Sequence, residues 1–157
     1  MRLVVIRHGK AVARDKWHKD DSERPLTKDG AHQAEWVFRL MRHCVGITEI
    51  WTSPWVRARQ TAEIASDVWN LPLRECDWLA GRALAPDSWI EQLPRNGDIA
   101  LVGHEPDLGE FLGALCGGRT IPLKKSGVAL LEGDSLEQLE LQGLLSPKLI
   151  AALAEMA

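Results

Sequence analysis

The chain of 157 residues has no apolar run approaching the roughly 18 residues that a membrane-spanning helix needs. MRLVVIRHG runs into charge too soon to form the apolar core of a secretory leader. Both features point to a cytoplasmic protein without a membrane segment. Cysteine is scarce: Cys44, Cys76 and Cys116 are an odd, widely spaced set without a CxxC pair. That argues against a disulfide scaffold, a zinc site or a dithiol redox centre, and predicts reduced, mostly buried thiols. Positive charge is not in excess, with 19 Lys and Arg against 22 Asp and Glu and a net charge of −3. A general basic face for nucleic acid or anionic lipid is therefore not expected. Repeats, linkers and low-complexity segments are also missing. The expectation is one domain over 1–157, of ordinary globular composition.

What is present is an alternation of strand-like and helix-like segments. RLVVI, residues 2–6, reads as a buried strand and is followed by a polar loop. Thr27 is placed as the N-cap of a helix through AHQAEWVFRLMRH, with Ala34, Val37, Phe38 and Met41 on one side and Gly46 as its stop. EIWTS at 49–53 is a second strand. Ser53-Pro54 has the form of an N-cap followed by proline at the first helical position, opening a helix that runs to Asn70. LPLRE is a third strand, PDSWIEQL a short helix, and DIALVG at 98–103 the most strand-like segment. A helix PDLGEFLGALCG, a hairpin of GVALLEG and EQLELQG, and a terminal helix PKLIAALAEM complete the chain. This order predicts an α/β three-layer sandwich, with a mostly parallel central sheet and antiparallel edge strands.

In such sheets ligands bind beyond the carboxyl ends of the strands. The strand ends here carry Arg7-His8-Gly9, Ser53-Pro54 with Arg57 just inside the next helix, and Gly103-His104. Guanidinium donors suit phosphate oxygens, helix N-termini near 27–28 and 54–55 add N–H groups, and a neutral histidine can attack phosphorus. Two histidines and several arginines without a carboxylate cluster describe an anion site, expected to take phosphate or sulfate, that calls for no metal and no cofactor.

Four segments carry a family resemblance: IRHGKA at 6–11, RPLTKDG at 24–30, SPWVRARQTAE at 53–63 and VGHEPDL at 102–108. In this order and spacing the chain resembles the histidine phosphatase superfamily, with its phosphoglycerate mutase-like fold and RHG motif. Within it the chain is similar to the small SixA-type phosphohistidine phosphatases. The match spans most of the first 110 residues; the C-terminal third agrees only in general pattern. The resemblance implies that His8 is a nucleophile forming a transient phosphohistidine. Arg7, Arg57 and His104 would surround the phosphoryl group, Arg24 would be a further ligand, and Gly9 would bring its backbone close with a free N–H. If one nitrogen of His8 attacks, the other must carry a proton held by an acceptor such as a backbone carbonyl.

Larger members of the superfamily protonate an oxygen leaving group with a carboxylic acid. Here Glu75, Asp77, Glu105 and Asp107 are all open candidates, with Glu105 and Glu75 put forward. An alcohol leaves as something close to hydroxide, whose conjugate acid, water, has a pKa of about 15.7. The conjugate acid of imidazole has a pKa of about 6.5, so transfer between histidines depends less on an acid. About 43 positions separate Thr61 from His104, too few for a large cap. Both points favour a phosphohistidine-bearing protein of a phosphorelay or phosphotransfer chain as substrate. The alternatives are a broad phosphomonoesterase on the same scaffold, a phosphate-binding module without turnover, and a metallophosphatase.

Other polar residues are assigned plainer places. Arg59 is read as an ion-pairing surface residue, His32 and His43 as solvent-facing, and the acidic stretch DDSE at 20–23 as solvated surface. Trp17 and His18 belong to a solvated loop, with a lid or recognition role as the sharper alternative. The tryptophans are read as core packing, except Trp55 at the start of the helix bearing Arg57.

Overall fold

The computed structural model describes residues 1–156. In chain order the strands are β1 (Arg2–Arg7), β2 (Glu49–Thr52), β3 (Leu73–Glu75), β4 (Asp98–Gly103), β5 (Val128–Glu132) and β6 (Glu140–Leu145). The α-helices are α1 (Lys28–Met41), α2 (Val56–Trp69), α3 (Asp107–Leu115) and α4 (Pro147–Ala154). One sheet has the order β3-β2-β4-β1-β5-β6. β3, β2, β4 and β1 run parallel, and β5 and β6 continue the sheet antiparallel. The expected three-layer sandwich is present.

The central strands are apolar on both faces because both faces are covered. Leu3 and Val5 of β1, with Ile99 and Leu101 of β4, pack with Phe111 and Leu112 of α3 and with Leu79 and Trp89. Val4 and Ile6, with Ala100 and Val102, pack with Phe38 of α1, Ala62 of α2 and Ile150 of α4. The short helix expected from PDSWIEQL is present as a 3-10 helix at Pro86–Gln92, preceded by a 3-10 turn at Asp77–Leu79. Trp89 is fully buried there, so this segment is built into a layer of the sandwich and forms no large cap. Two thiols depart from expectation: Cys76 is buried, but Cys44 and Cys116 are exposed.

The loop after β1 is closed at its base. Val12 N–H donates to Pro25 O at 2.9 Å, Thr27 N–H donates to Lys10 O at 2.9 Å, and Ala11 pairs with Leu26. Thr27 caps α1 as expected, accepting from Gly30 N–H at 3.0 Å. Gly30 must be glycine: a Cβ there would lie 2.0 Å from Lys10 O. Ser53, in contrast, does not cap α2. Trp55, in an extended conformation, is the N-cap without a side-chain bond, and the Ser53 hydroxyl is used elsewhere.

Inside a helix, Gly to Ala normally stabilises by about 0.5–1 kcal/mol. Here Gly30→Ala must push backbone from backbone, and we expect it to destabilise by about 1–3 kcal/mol, read from the midpoint of a urea titration. A stabilised variant would show that the contact yields freely.

Candidate active site

Strand register brings the chemical residues to one level. Arg7 lies opposite Gly103, and Thr52 opposite Val102. The pairing extends past the strand ends, with His8 N–H donating to Gly103 O at 3.1 Å and Ser53 N–H to Val102 O at 3.0 Å. His8, Ser53 and His104 thus meet at the carboxyl edge of adjacent strands, and the His8 and His104 ring centroids are 5.3 Å apart.

The His8 tautomer follows from its neighbours. Nδ1 lies 2.7 Å from Gly9 O, which can only accept, so Nδ1 carries the proton. Nε2 is left with its lone pair, and Arg57 Nε points a donor at it from 3.4 Å. Burial, with Arg57, Arg7 and Arg24 nearby, lowers the His8 pKa to about 3 despite the opposing Gly9 bond. His8 is therefore neutral at ordinary pH.

His104 is held from the other side. Its Nε2 shares a 2.8 Å hydrogen bond with Ser53 Oγ, which also accepts from Trp55 N–H at 3.2 Å. Its Nδ1 is buried without a partner. Burial first, then His8 and Arg57, lower its pKa to about 2. The Trp55 ring, the tryptophan singled out from sequence, lies 4.8 Å from the His104 ring and 4.8 Å from the Arg57 guanidinium carbon. Residue 81 backs this wall: a Cβ on Gly81 would lie 2.7 Å from Trp55 Cη2.

Three arginines complete the ring, each anchored by a backbone carbonyl. Arg7 Nη1 donates to Leu123 O at 2.8 Å and its Nε is buried unpaired. Arg24 Nη1 donates to Val12 O at 2.8 Å, and Arg57 Nη1 to Asp21 O at 2.7 Å. Carbonyl anchoring orients guanidinium groups without neutralising them, and buried unpaired donors around a bare nitrogen suit an oxyanion.

Gly9 departs from expectation. Its N–H is not free, because it donates to Thr61 Oγ1 at 3.0 Å, and the contribution of Gly9 to the site is its carbonyl. Ser126, another residue not foreseen, lies beside Gly9 with a buried hydroxyl lacking a partner.

Three of the four acid candidates are engaged elsewhere. Glu75 pairs with Arg59, which also pairs with Glu63, so the surface reading of Arg59 holds and Glu75 is drawn away. Asp77 is exposed. Asp107 is buried and accepts from Arg82 N–H at 2.8 Å. Glu105 accepts from Leu123 N–H at 2.7 Å; burial raises its pKa, while Leu123 and Arg7 oppose the rise. The carboxylate that does reach the ring is Asp21, from the stretch read as solvated surface. Its Oδ2 accepts from Arg57 Nη2 at 3.0 Å and its Oδ1 from Arg24 Nε at 2.9 Å. Burial would raise its pKa, but the Arg24 bond and the charges of Arg57, Arg24 and Arg14 hold it low. The available signal was an acid three residues before an arginine, in DSER. His18, His32 and His43 are exposed, and Trp17 is half-buried with its indole N–H donating to Asp20 O at 2.8 Å.

Among the described residues, no group of three or more His, Cys, Asp or Glu side chains is placed to hold a metal ion, and no helix is long and apolar enough to cross a membrane.

This sheet edge defines an α/β enzyme that presents a bare imidazole nitrogen inside a ring of cationic donors. Residues 3–95 match the histidine phosphatase superfamily (branch 1). The phosphohistidine phosphatase SixA of Escherichia coli is 30% identical over 134 residues, covering 78% of this chain and 79% of that protein. An uncharacterised protein of Picosynechococcus is 36% identical over 141 residues, covering 82% of each. A structure of the protein histidine phosphatase SixA complexed with tungstate superposes with a TM-score of 0.80 at 25% identity, covering 94% of this chain and 98% of that one. The chain belongs to the histidine phosphatase superfamily and is a phosphatase.

Because His8 and His104 are neutral when folded and take up protons near pH 6.5 when unfolded, the unfolded state binds more protons below that pH. Stability should fall as pH drops from about 6.5 toward 3, by up to about 1.4 kcal/mol per pH unit for each histidine. Urea titrations at pH 7, 6 and 5 check this, and His104→Gln should flatten the slope. A slope unchanged in the variant would refute the assignment.

Proposed function

We propose that the chain is a phosphohistidine phosphatase acting on histidine of a phosphotransfer or phosphorelay protein, through a covalent phosphohistidine on His8. The observation that carries this reading is the fixed tautomer of His8: Gly9 O holds the Nδ1 proton and leaves Nε2 as the lone pair facing Arg57. Nε2 attacks phosphorus, the substrate P–N bond breaks, and its electron pair goes to the departing ring. Arg7, Arg24, Arg57 and His104 take the phosphoryl oxygens, where donors set in advance act on developing charge. The ring of His8 becomes cationic on phosphorylation, and Gly9 O stabilises it through the Nδ1 proton. Water then attacks phosphorus, the second P–N bond breaks, and phosphate leaves with His8 restored.

Two features support an imidazole leaving group. Of the carboxylates foreseen as acids, Glu75, Asp107 and Glu105 are engaged with Arg59, Arg82 and Leu123, and Asp77 faces solvent, which disfavours a leaving group that needs a dedicated acid. The segment from 77 to 92 lies in a sandwich layer and adds no large cap, which suits a substrate side chain displayed on another protein.

The test is phosphate release from a phosphohistidine protein and from an aryl phosphate, with chelator present, in wild type and His8→Ala. We expect a strong phosphohistidine preference and a loss of about 10³-fold or more in the variant. Equal wild-type rates would make the enzyme a general phosphomonoesterase, sensitivity to chelator would make it a metallophosphatase, and activity surviving His8→Ala would remove His8 as nucleophile.

A further inference from the structure

We propose that Asp21 is a specificity-determining residue: its carboxylate accepts the N–H of a protonated phosphohistidine ring and so favours an imidazole leaving group over an oxygen one. This rests on the phosphohistidine reading above and explains how the site would select that substrate.

The position of Asp21 follows from Arg57. Arg57 Nε faces His8 Nε2 at 3.4 Å, while its far nitrogens Nη1 and Nη2 are bound to Asp21. Asp21 therefore stands one guanidinium beyond the attacking nitrogen, toward the mouth. Its side chain is 23% exposed, against 5% for Arg57. An in-line transfer sends the leaving group away from His8 Nε2, outward past this rim. The Asp21 charge also reaches His104, whose proton affinity it raises.

The carboxylate keeps acceptor capacity. Each oxygen takes one short arginine bond, from Arg24 on Oδ1 and Arg57 on Oδ2, and a carboxylate offers about four lone-pair positions. The segment that carries it is fixed: Asp20 accepts from Ser22 N–H at 2.9 Å, capping the turn at Asp21–Glu23, and Arg24 ties that turn to Val12 O.

The chemistry then discriminates. When P–N breaks, the electron pair returns to the ring nitrogen. A ring already protonated at its other nitrogen leaves as neutral imidazole, whereas an unprotonated ring must leave as imidazolate. The reactive substrate is thus a cation with an N–H to offer, and a carboxylate at the rim both binds that N–H and raises the pKa of the ring. An alkoxide or phenoxide gathers negative charge and has no N–H, so the same carboxylate opposes its departure.

Asp21 also holds Arg57 and Arg24, so Asp21→Asn should slow every substrate to some degree. The decisive readout is the ratio of kcat/KM for a phosphohistidine protein to that for an aryl phosphate. We expect Asp21→Asn to reduce this ratio about tenfold, equivalent to one pKa unit of lost preference for the cationic ring. The alkaline limb of the kcat profile for phosphohistidine should move to lower pH, because the bound ring loses its proton more readily beside an amide. Asp21→Glu should recover part of the ratio. Parallel losses on both substrates, with the alkaline limb unmoved, would reduce Asp21 to a support for the arginines and overturn the proposal. A failure of the underlying reading would appear elsewhere, as the absence of any phosphohistidine preference in wild type.

Discussion

The site depends on the parallel ladders that join β1 and β2 to β4, carried one residue beyond the strands. His8 N–H on Gly103 O fixes where the first histidine leaves the sheet, and Ser53 N–H on Val102 O does the same for the segment that steadies His104. These bonds join position 8 to 103 and position 53 to 102, and the side chains that face each other over the edge inherit their spacing. The apolar cores on both faces keep the ladder rigid, with Leu3, Val4, Val5 and Ile6 each essentially inaccessible. Such burial contributes about 1.5–3 kcal/mol per large aliphatic side chain. The same aliphatic run that holds the sandwich together therefore sets the tolerance of the site.

Electrostatics follow from the way the arginines are held. Arg7, Arg24 and Arg57 are tied down by the carbonyls of Leu123, Val12 and Asp21. A carbonyl dipole orients a guanidinium but leaves its charge in place, so the three cations are balanced only by Asp21 and, further off, Glu105. Burial first, and the nearby positive charge second, keep both histidines neutral, and the surplus of positive potential favours an incoming anion. Holding cations close together costs stability, and that cost is offset on anion binding.

Much of this was legible in the chain. RLVVI and DIALVG are strands because both faces of each are covered, which leaves no polar alternation to confuse the reading. Thr27 was visible as an N-cap, and Arg7-His8-Gly9, Ser53-Pro54 and Gly103-His104 marked where the strands end. The failures share one cause: a polar side chain whose partner lies far away in sequence looks local. Ser53 before Pro54 has the form of a helix cap, but its hydroxyl serves His104, 51 positions on. Gly9 seemed to offer an N–H that Thr61 in fact takes. Asp21 sits in a run with the charge pattern of solvated surface, and only tertiary structure brings Arg57 to it across 36 positions. The exposed Cys44 and Cys116 show the same limit for apolar residues, since small thiols can lie on either side of a boundary.

The clasp at the base of the loop after β1 separates two properties that are often coupled. Lys10, Ala11 and Val12 are joined to Thr27, Leu26 and Pro25, so the excursion between them begins and ends at fixed points. Lengthening a loop with tethered ends costs only about 0.6 kcal/mol for each doubling. Residues 13–19 can therefore lose, gain or exchange sequence at small thermodynamic cost, while His8 on one side of the clasp and Arg24 on the other keep their places. The fold thus leaves a region of evolutionary freedom at the lip of its most constrained feature, where a change of contacts can retune recognition without rebuilding the chemistry beneath.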